Sequence, residues 1–141
     1  MAGQRRLHEG RPRRWPALLI LLTAGALAAA GTLARHRYAR YAVEGQSMEP
    51  ALRPGDWIIV DRAAYRDRLP RPGHVVLALD PREPAREIVK RVIRVDLHGQ
   101  AWLEGDNGAG STDSRNYGPV PRELVVGRVV WRYWPRVGRV R

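Results

Sequence analysis

Residues 87–95 read Glu87-Ile88-Val89-Lys90-Arg91-Val92-Ile93-Arg94-Val95. A period of two places Ile88, Lys90 and Val92 on one face of an extended strand. Segments rich in Val and Ile flank this run and are separated by Pro-Gly punctuation, the pattern of short strands and turns. Strands are expected at 57–62, 74–79, 87–95, 101–104 and 125–134. Breaks fall at Arg53-Pro54-Gly55-Asp56, Arg71-Pro72-Gly73 and 105–110. In the last strand Val125, Gly127, Val129, Trp131 and Tyr133 share one face, and a mixed set shares the other, as in a half-buried strand. There is no internal repeat and no long helical pattern in this part. The expectation is a mainly β domain of roughly 100 residues, large enough for a modest core.

The segment before it differs. Pro16 to Ala34 is a 19-residue stretch without a charge. As a helix it spans about 28 Å, close to the hydrocarbon thickness of a bilayer. Trp15 sits at its start, and Arg5, Arg6, Arg11, Arg13 and Arg14 precede it, whereas Arg35, Arg37 and Arg40 follow. Five against three favours the N-terminus inside and the remainder outside. Two other readings compete. Ala24-Gly25-Ala26 and Ala28-Ala29-Ala30 fit a cleaved signal peptide, but the run exceeds a usual signal-peptide core. A buried soluble helix lacks the expected polar face. The expected organisation is a basic tail at 1–15, a transmembrane anchor at 16–34, a linker at 35–42, a β-rich domain at 43–135 and a basic tail at 136–141.

The 141 residues contain no cysteine, which excludes disulfides, thiolate metal sites and cysteine nucleophiles. The net charge of +11 divides unevenly: residues 1–40 hold eight Arg and one Glu (+7), and residues 41–141 hold sixteen Arg, one Lys and thirteen acids (+4). The excess therefore surrounds the apolar segment, as membrane orientation requires, and argues against a nucleic-acid partner. His8, His36, His74 and His98 are scattered without metal-ligand spacing. A Ser–His–Asp triad using His74 or His98 is possible by composition, but no nucleophile elbow of the Gly-x-Ser-x-Gly type supports it.

With 24 Arg to one Lys, the single lysine stands out. On an apolar strand face a charged amine is costly, and desolvation favours its neutral form. A neutral amine can take a proton from a serine hydroxyl; arginine cannot. A lysine snorkelling to solvent is the ordinary alternative. The serines are Ser47, Ser111 and Ser114. Ser47 lies in Gly45-Gln46-Ser47-Met48-Glu49-Pro50, where Gly45 permits close approach and Pro50 stiffens the turn. It could equally serve only the turn. Gly105-Asp106-Asn107 begins a turn, and Asp113 with Arg115 can form a charge-assisted pair that fixes the next loop. A second hydroxyl near the amine could orient it, and both Ser111 and Ser114 qualify.

Ser47-Met48-x-Pro50 with Pro54-Gly55-Asp56 resembles the nucleophile box of the signal peptidase I family. Arg71-Pro72-Gly73-His74-Val75-Val76 resembles its following strand. Lys90-Arg91-Val92-Ile93 resembles its lysine box, and Gly105-Asp106-Asn107 with Ser111-x-Asp113-Ser114-Arg115 its last box. These four boxes keep the family's order across 43–131. The resemblance implies the β-rich signal peptidase-like fold, shared with self-cleaving repressors, preceded by one transmembrane helix. It implies Ser47 as nucleophile, Lys90 as general base, Ser111 orienting the lysine, and the Ser47 N–H as oxyanion donor. Gly45 stands where some relatives carry a hydroxyl donor. Met48 would line the substrate pocket, and Asp113 and Arg115 would be supports.

The sequence also departs from the family. Ala51 replaces a frequent Thr, Arg94-Val95-Asp96-Leu97 replaces a Gly-Leu-Pro-Gly-Asp run, and the large insertion of some bacterial enzymes is missing. Tyr117-Gly118-Pro119-Val120-Pro121 and the ending 127–135 look like the proteases that mature nickel-type superoxide dismutase.

The implied function is removal of an N-terminal signal or propeptide from precursors with small residues before the cleaved bond. A dedicated nickel superoxide dismutase maturation protease is the alternative. No metal or organic cofactor is implied. The expected location is the cell membrane, single-pass, with the catalytic domain extracytoplasmic. Ala34 to Ser47 reaches at most about 45 Å, which keeps Ser47 near the bilayer surface. A non-catalytic, basic, membrane-anchored binding module is the reading of another class. The smaller charge excess of the β domain weighs against it.

Overall fold

The computed structural model describes residues 15–140. The arginines expected to orient the anchor, at 5–14, lie outside the described residues.

Helix α1 runs Trp15–Arg37. Its Leu-, Ala- and Gly-rich stretch carries no charge until Arg35, and Arg35, His36 and Arg37 form a basic last turn that complements the carbonyl end of the helix dipole. Leu19, Ile20, Leu21, Leu22, Leu27 and Leu33 are all well exposed, so the described apolar surface is not confined to one face. Thr23 and Thr32 turn their hydroxyls back onto the Leu19 and Ala28 carbonyls, so their polarity is satisfied within the helix. Leu19–Arg37 is long and apolar enough to cross a membrane.

The helix up to Ala34 and the body from Arg35 onward are separate units. The body is one antiparallel sheet of seven strands: β1 (Tyr38–Ala42), β2 (Trp57–Asp61), β3 (Val75–Asp80), β4 (Glu83–Val95), β5 (Ala101–Glu104), β6 (Val125–Trp134) and β7 (Gly138–Arg139). The order is β1-β2-β6-β3-β4-β5, with β7 added to β6. A short helix α2, Ser114–Tyr117, follows β5. The mainly β architecture matches the expectation.

Three stretches differ from the sequence reading. Residues 38–42, expected as linker, form β1, because β2 offers a full antiparallel edge from Trp57 to Asp61. Strand β4 begins at Glu83, and a register irregularity between Leu79 and Asp80 precedes its regular pairing. Residues 138–139, expected in a basic tail, pair with Arg132 and Trp131.

Central strand β3 explains the core. Val75 and Leu77 pack with Val43, Met48, Leu52, Ile58, Val60 and Val129. Val76 and Ala78 face the other way, among Tyr65, Ile88, Val92, Leu103 and Val120. Both faces of β3 are thus covered, each buried aliphatic side chain contributing about 1.5–3 kcal/mol. Lys90 pairs directly with Val76 and so shares the face of Ile88 and Val92. Four antiparallel steps separate β1 from β4, so these two strands run in the same direction.

Candidate active site

Strand β4 presents Lys90 and Arg91 to opposite faces, and each side chain holds part of one loop system. Lys90 is 4% exposed. Its Nζ donates to Ser111 Oγ at 3.1 Å. Ser111 Oγ donates to Asp113 Oδ2 at 2.6 Å. Asp113 is fully buried and also accepts from the Gly105 N–H at 2.9 Å and from the Arg115 guanidinium at 2.8 and 2.6 Å. It caps α2, with Asn116 completing a reciprocal capping box.

Burial lowers the Lys90 pKa from its ordinary value; the Asp113 charge opposes this, and the Arg86 and Arg115 charges assist it. Burial alone would raise the Asp113 carboxyl. Hydrogen bonds from Arg115, Gly105 and Ser111 outweigh that and hold it well below the usual carboxylate range. A charged carboxylate cannot donate, so the Ser111 proton must point at Asp113. The Ser111 oxygen then accepts an N–H from Lys90, and a lone pair on neutral Nζ is left for another hydroxyl.

On the opposite face Arg91 makes a bidentate pair with Asp106, at 2.7 and 2.6 Å, and donates to the Gly73 carbonyl at 3.0 Å. Asn107, next in the loop, donates its backbone N–H to the Ser47 carbonyl at 2.9 Å and its side-chain amide to the Gln46 carbonyl at 3.3 Å. Gly105 lies where a Cβ would collide with both Ser111 Oγ and the Ser47 carbonyl oxygen. Only glycine permits that approach.

Ser47 and Lys90 line one cleft of about 570 Å³, together with Gly45, Met48, Leu77 and Ile88. Met48 is buried under this cleft, and Ser47 is half-buried. Space is open beside Gly45. The geometry therefore brings Ser47, Lys90, Ser111, Asp113, Arg115, Gly105, Asp106, Asn107, Gly45 and Met48 into one region. It also separates the two serines that residue type left open. Ser114 Oγ accepts the Leu103 N–H at 2.9 Å and ties α2 to β5, away from the amine. Arg91 was missed as part of this region; its position directly after Lys90, opposite Asp106 in charge, was the available signal. His74 bonds to the Tyr65 hydroxyl at 3.0 Å, outside the cleft lining.

The arrangement sets the Ser47 hydroxyl and a buried amine of lowered pKa on the walls of one partly apolar cleft. Comparison with known proteins bears on the family of the chain. The chain is 36% identical over 110 positions to mitochondrial inner membrane protease subunit 1 of Xenopus tropicalis, covering 64% of this chain and 66% of that protein. It is 34% identical to the mitochondrial ATP-independent inner membrane protease subunit 1b of Arabidopsis thaliana, covering 64% and 67%. It is 33% identical to mitochondrial inner membrane protease subunit 2 of Danio rerio, covering 66% and 62%. The chain thus spans about two thirds of the length of these relatives. None of these three bears the name of a superoxide dismutase maturation protease, so that subgroup rests on the ending of the sequence alone. The model for signal peptidase, peptidase S26, matches residues 15–96 and 97–134, and the chain belongs to that family.

Proposed function

We propose that this chain is a membrane-anchored serine endopeptidase that removes an N-terminal signal or propeptide from precursor proteins. Ser47 is its nucleophile and Lys90 its general base. The observation that carries the reading is a buried lysine amine, hydrogen-bonded to Ser111, on the wall of the cleft that Ser47 lines. The family and the names of its relatives support peptidase chemistry at a membrane.

Neutral Lys90 takes the Ser47 Oγ proton as Oγ bonds to the carbonyl carbon of the substrate. The carbonyl π pair moves onto oxygen, where the Ser47 N–H donates to it. Lys90, now ammonium, gives its proton to the departing amine, and the C–N bond breaks. An acyl ester remains on Ser47. Lys90 then takes a proton from water, whose hydroxide attacks the ester carbon. The Ser47 Oγ–C bond breaks, Ser47 is reprotonated and the acyl product leaves. Ser111 and Asp113 hold the amine, and Arg115 holds Asp113.

The apolar lining from Met48, Leu77 and Ile88 suits apolar residues before the cleaved bond, and the family resemblance adds that they be small. The arginine distribution around α1 supports a body on the membrane face opposite the N-terminus. The site residues belong to a domain beginning near residue 43, held by the helix.

The test is co-expression with candidate precursors, comparing wild type with Ser47→Ala and Lys90→Arg. Lys90→Arg keeps charge but cannot act as base. Mature N-termini should form only with wild type. Equal processing by all three proteins would refute the mechanism.

A further inference from the structure

We propose that the Arg40–Arg86 end of the cleft is a subsite for a carboxylate side chain of the substrate, four or five residues before the cleaved bond. This rests on the peptidase reading above. Arg40 and Arg86 both line the cleft and both are exposed. Among the described residues neither is in an ion pair, whereas Arg37, Arg82, Arg91, Arg115 and Arg132 each face an aspartate. Two guanidinium groups are therefore available to an incoming anion.

Position along the cleft follows from topology. β1 and β4 run in the same direction and form its walls, with Ser47 shortly after β1 and Lys90 on β4. β4 pairs with β5 only from Arg91 onward, so its edge from Glu83 to Lys90 is open on that side. An extended peptide can lie along this edge. Its acyl half, the part retained on Ser47, occupies the cleft, and Arg86 lies four residues back from Lys90. Four strand positions are about 13 Å, which sets the register of the subsite. Arg86 also lies near enough to Lys90 for its charge to act on the amine.

Two carboxylates line the same cleft, and neither cancels this end. Among the described residues neither Glu87 nor Glu44 forms an ion pair with Arg40 or Arg86. Glu44 sits three residues before Ser47 and disfavours acids close to the bond.

The test uses the full chain in detergent with a peptide library, the cleaved bonds aligned by mass spectrometry. Wild type should favour Asp and Glu over Gln about three- to five-fold at one position four or five residues before the bond, and disfavour Lys there. Raising the salt should shrink the preference. Arg86→Glu should invert the order and Arg86→Gln should flatten it. An order unchanged in both variants, with peptides still cleaved, overturns the subsite alone. If no cleavage depends on Ser47, the peptidase reading falls and the subsite with it.

Discussion

The backbone N–H of Asn107 donates to the Ser47 carbonyl oxygen at 2.9 Å, so the loop after β5 holds the turn that carries the proposed nucleophile. That loop is itself gripped from β4, by Arg91 through Asp106. One dipeptide, Lys90-Arg91, thus places the amine on one face and the nucleophile turn from the other. Strand alternation supplies the two opposite faces, and the contacts of Asp106 with Arg91 and of Asn107 with Ser47 close the assembly in the folded chain.

Gly105 is the tightest point of this assembly. Gly105→Ala would force Ser47 and Ser111 apart, because both neighbours are rigidly held. Thermal unfolding should show a loss of about 1–3 kcal/mol. Processing should fall about 100-fold, from the displaced donor at Ser47. A Gly105→Ala protein with wild-type processing would mean that the loop tolerates the extra carbon by moving as a whole.

Ser111→Ala removes the acceptor for one Lys90 N–H and should lower acylation about 10- to 100-fold without unfolding the chain. Asp113→Asn acts differently. The amide no longer forces the Ser111 proton away from Lys90, so Ser111 can donate to the Nζ lone pair and occupy the base. Its loss should exceed that of Ser111→Ala. Breaking the Arg115 pair should also lower stability in denaturant titration. Asp113→Asn more active than Ser111→Ala would contradict this account of the proton's direction.

The folded Asp113 carboxyl lies below its ordinary value of 3.8. Its contribution to stability is therefore complete above that pH and is lost as the pH falls toward the folded value. Wild type should lose stability below about pH 4 more steeply than Asp113→Asn, as read by unfolding midpoints between pH 5 and pH 2. Parallel profiles would assign the acid sensitivity to other carboxylates.

Much of this was legible because alternation is local. Ile88, Lys90 and Val92 share a face in sequence and in space, and β2, β5 and β6 fall where Val, Ile and Trp cluster. β1 was not legible. Tyr38–Ala42 carries two alanines and an arginine and becomes a strand only because β2 completes its hydrogen bonds. The choice between Ser111 and Ser114 was equally hidden from residue type. It depends on α2, whose cap at Asp113 turns one hydroxyl toward Lys90 and the other toward Leu103. Arg91 escaped notice because its partner Asp106 lies fifteen residues away and pairs only across the folded loop.

The last prediction sets stability against activity at Lys90. Burial lowers its pKa below the ordinary 10.5, so the unfolded chain binds the proton more readily than the folded one. Stability therefore rises with pH between the folded value and 10.5, and the penalty is complete below that window. Lys90→Met fills the same space without a charge and should stabilise the fold by roughly 1–2 kcal/mol at neutral pH. That gain should vanish above pH 11. The same variant should process nothing, and acylation of wild type should rise tenfold per pH unit before levelling below 10.5. Acylation followed by a serine-reactive probe from pH 6 to 10, alongside melting curves of both proteins, makes the comparison. A Lys90→Met chain less stable than wild type at pH 7 would mean that the amine is held charged by Asp113, and could not serve as the base.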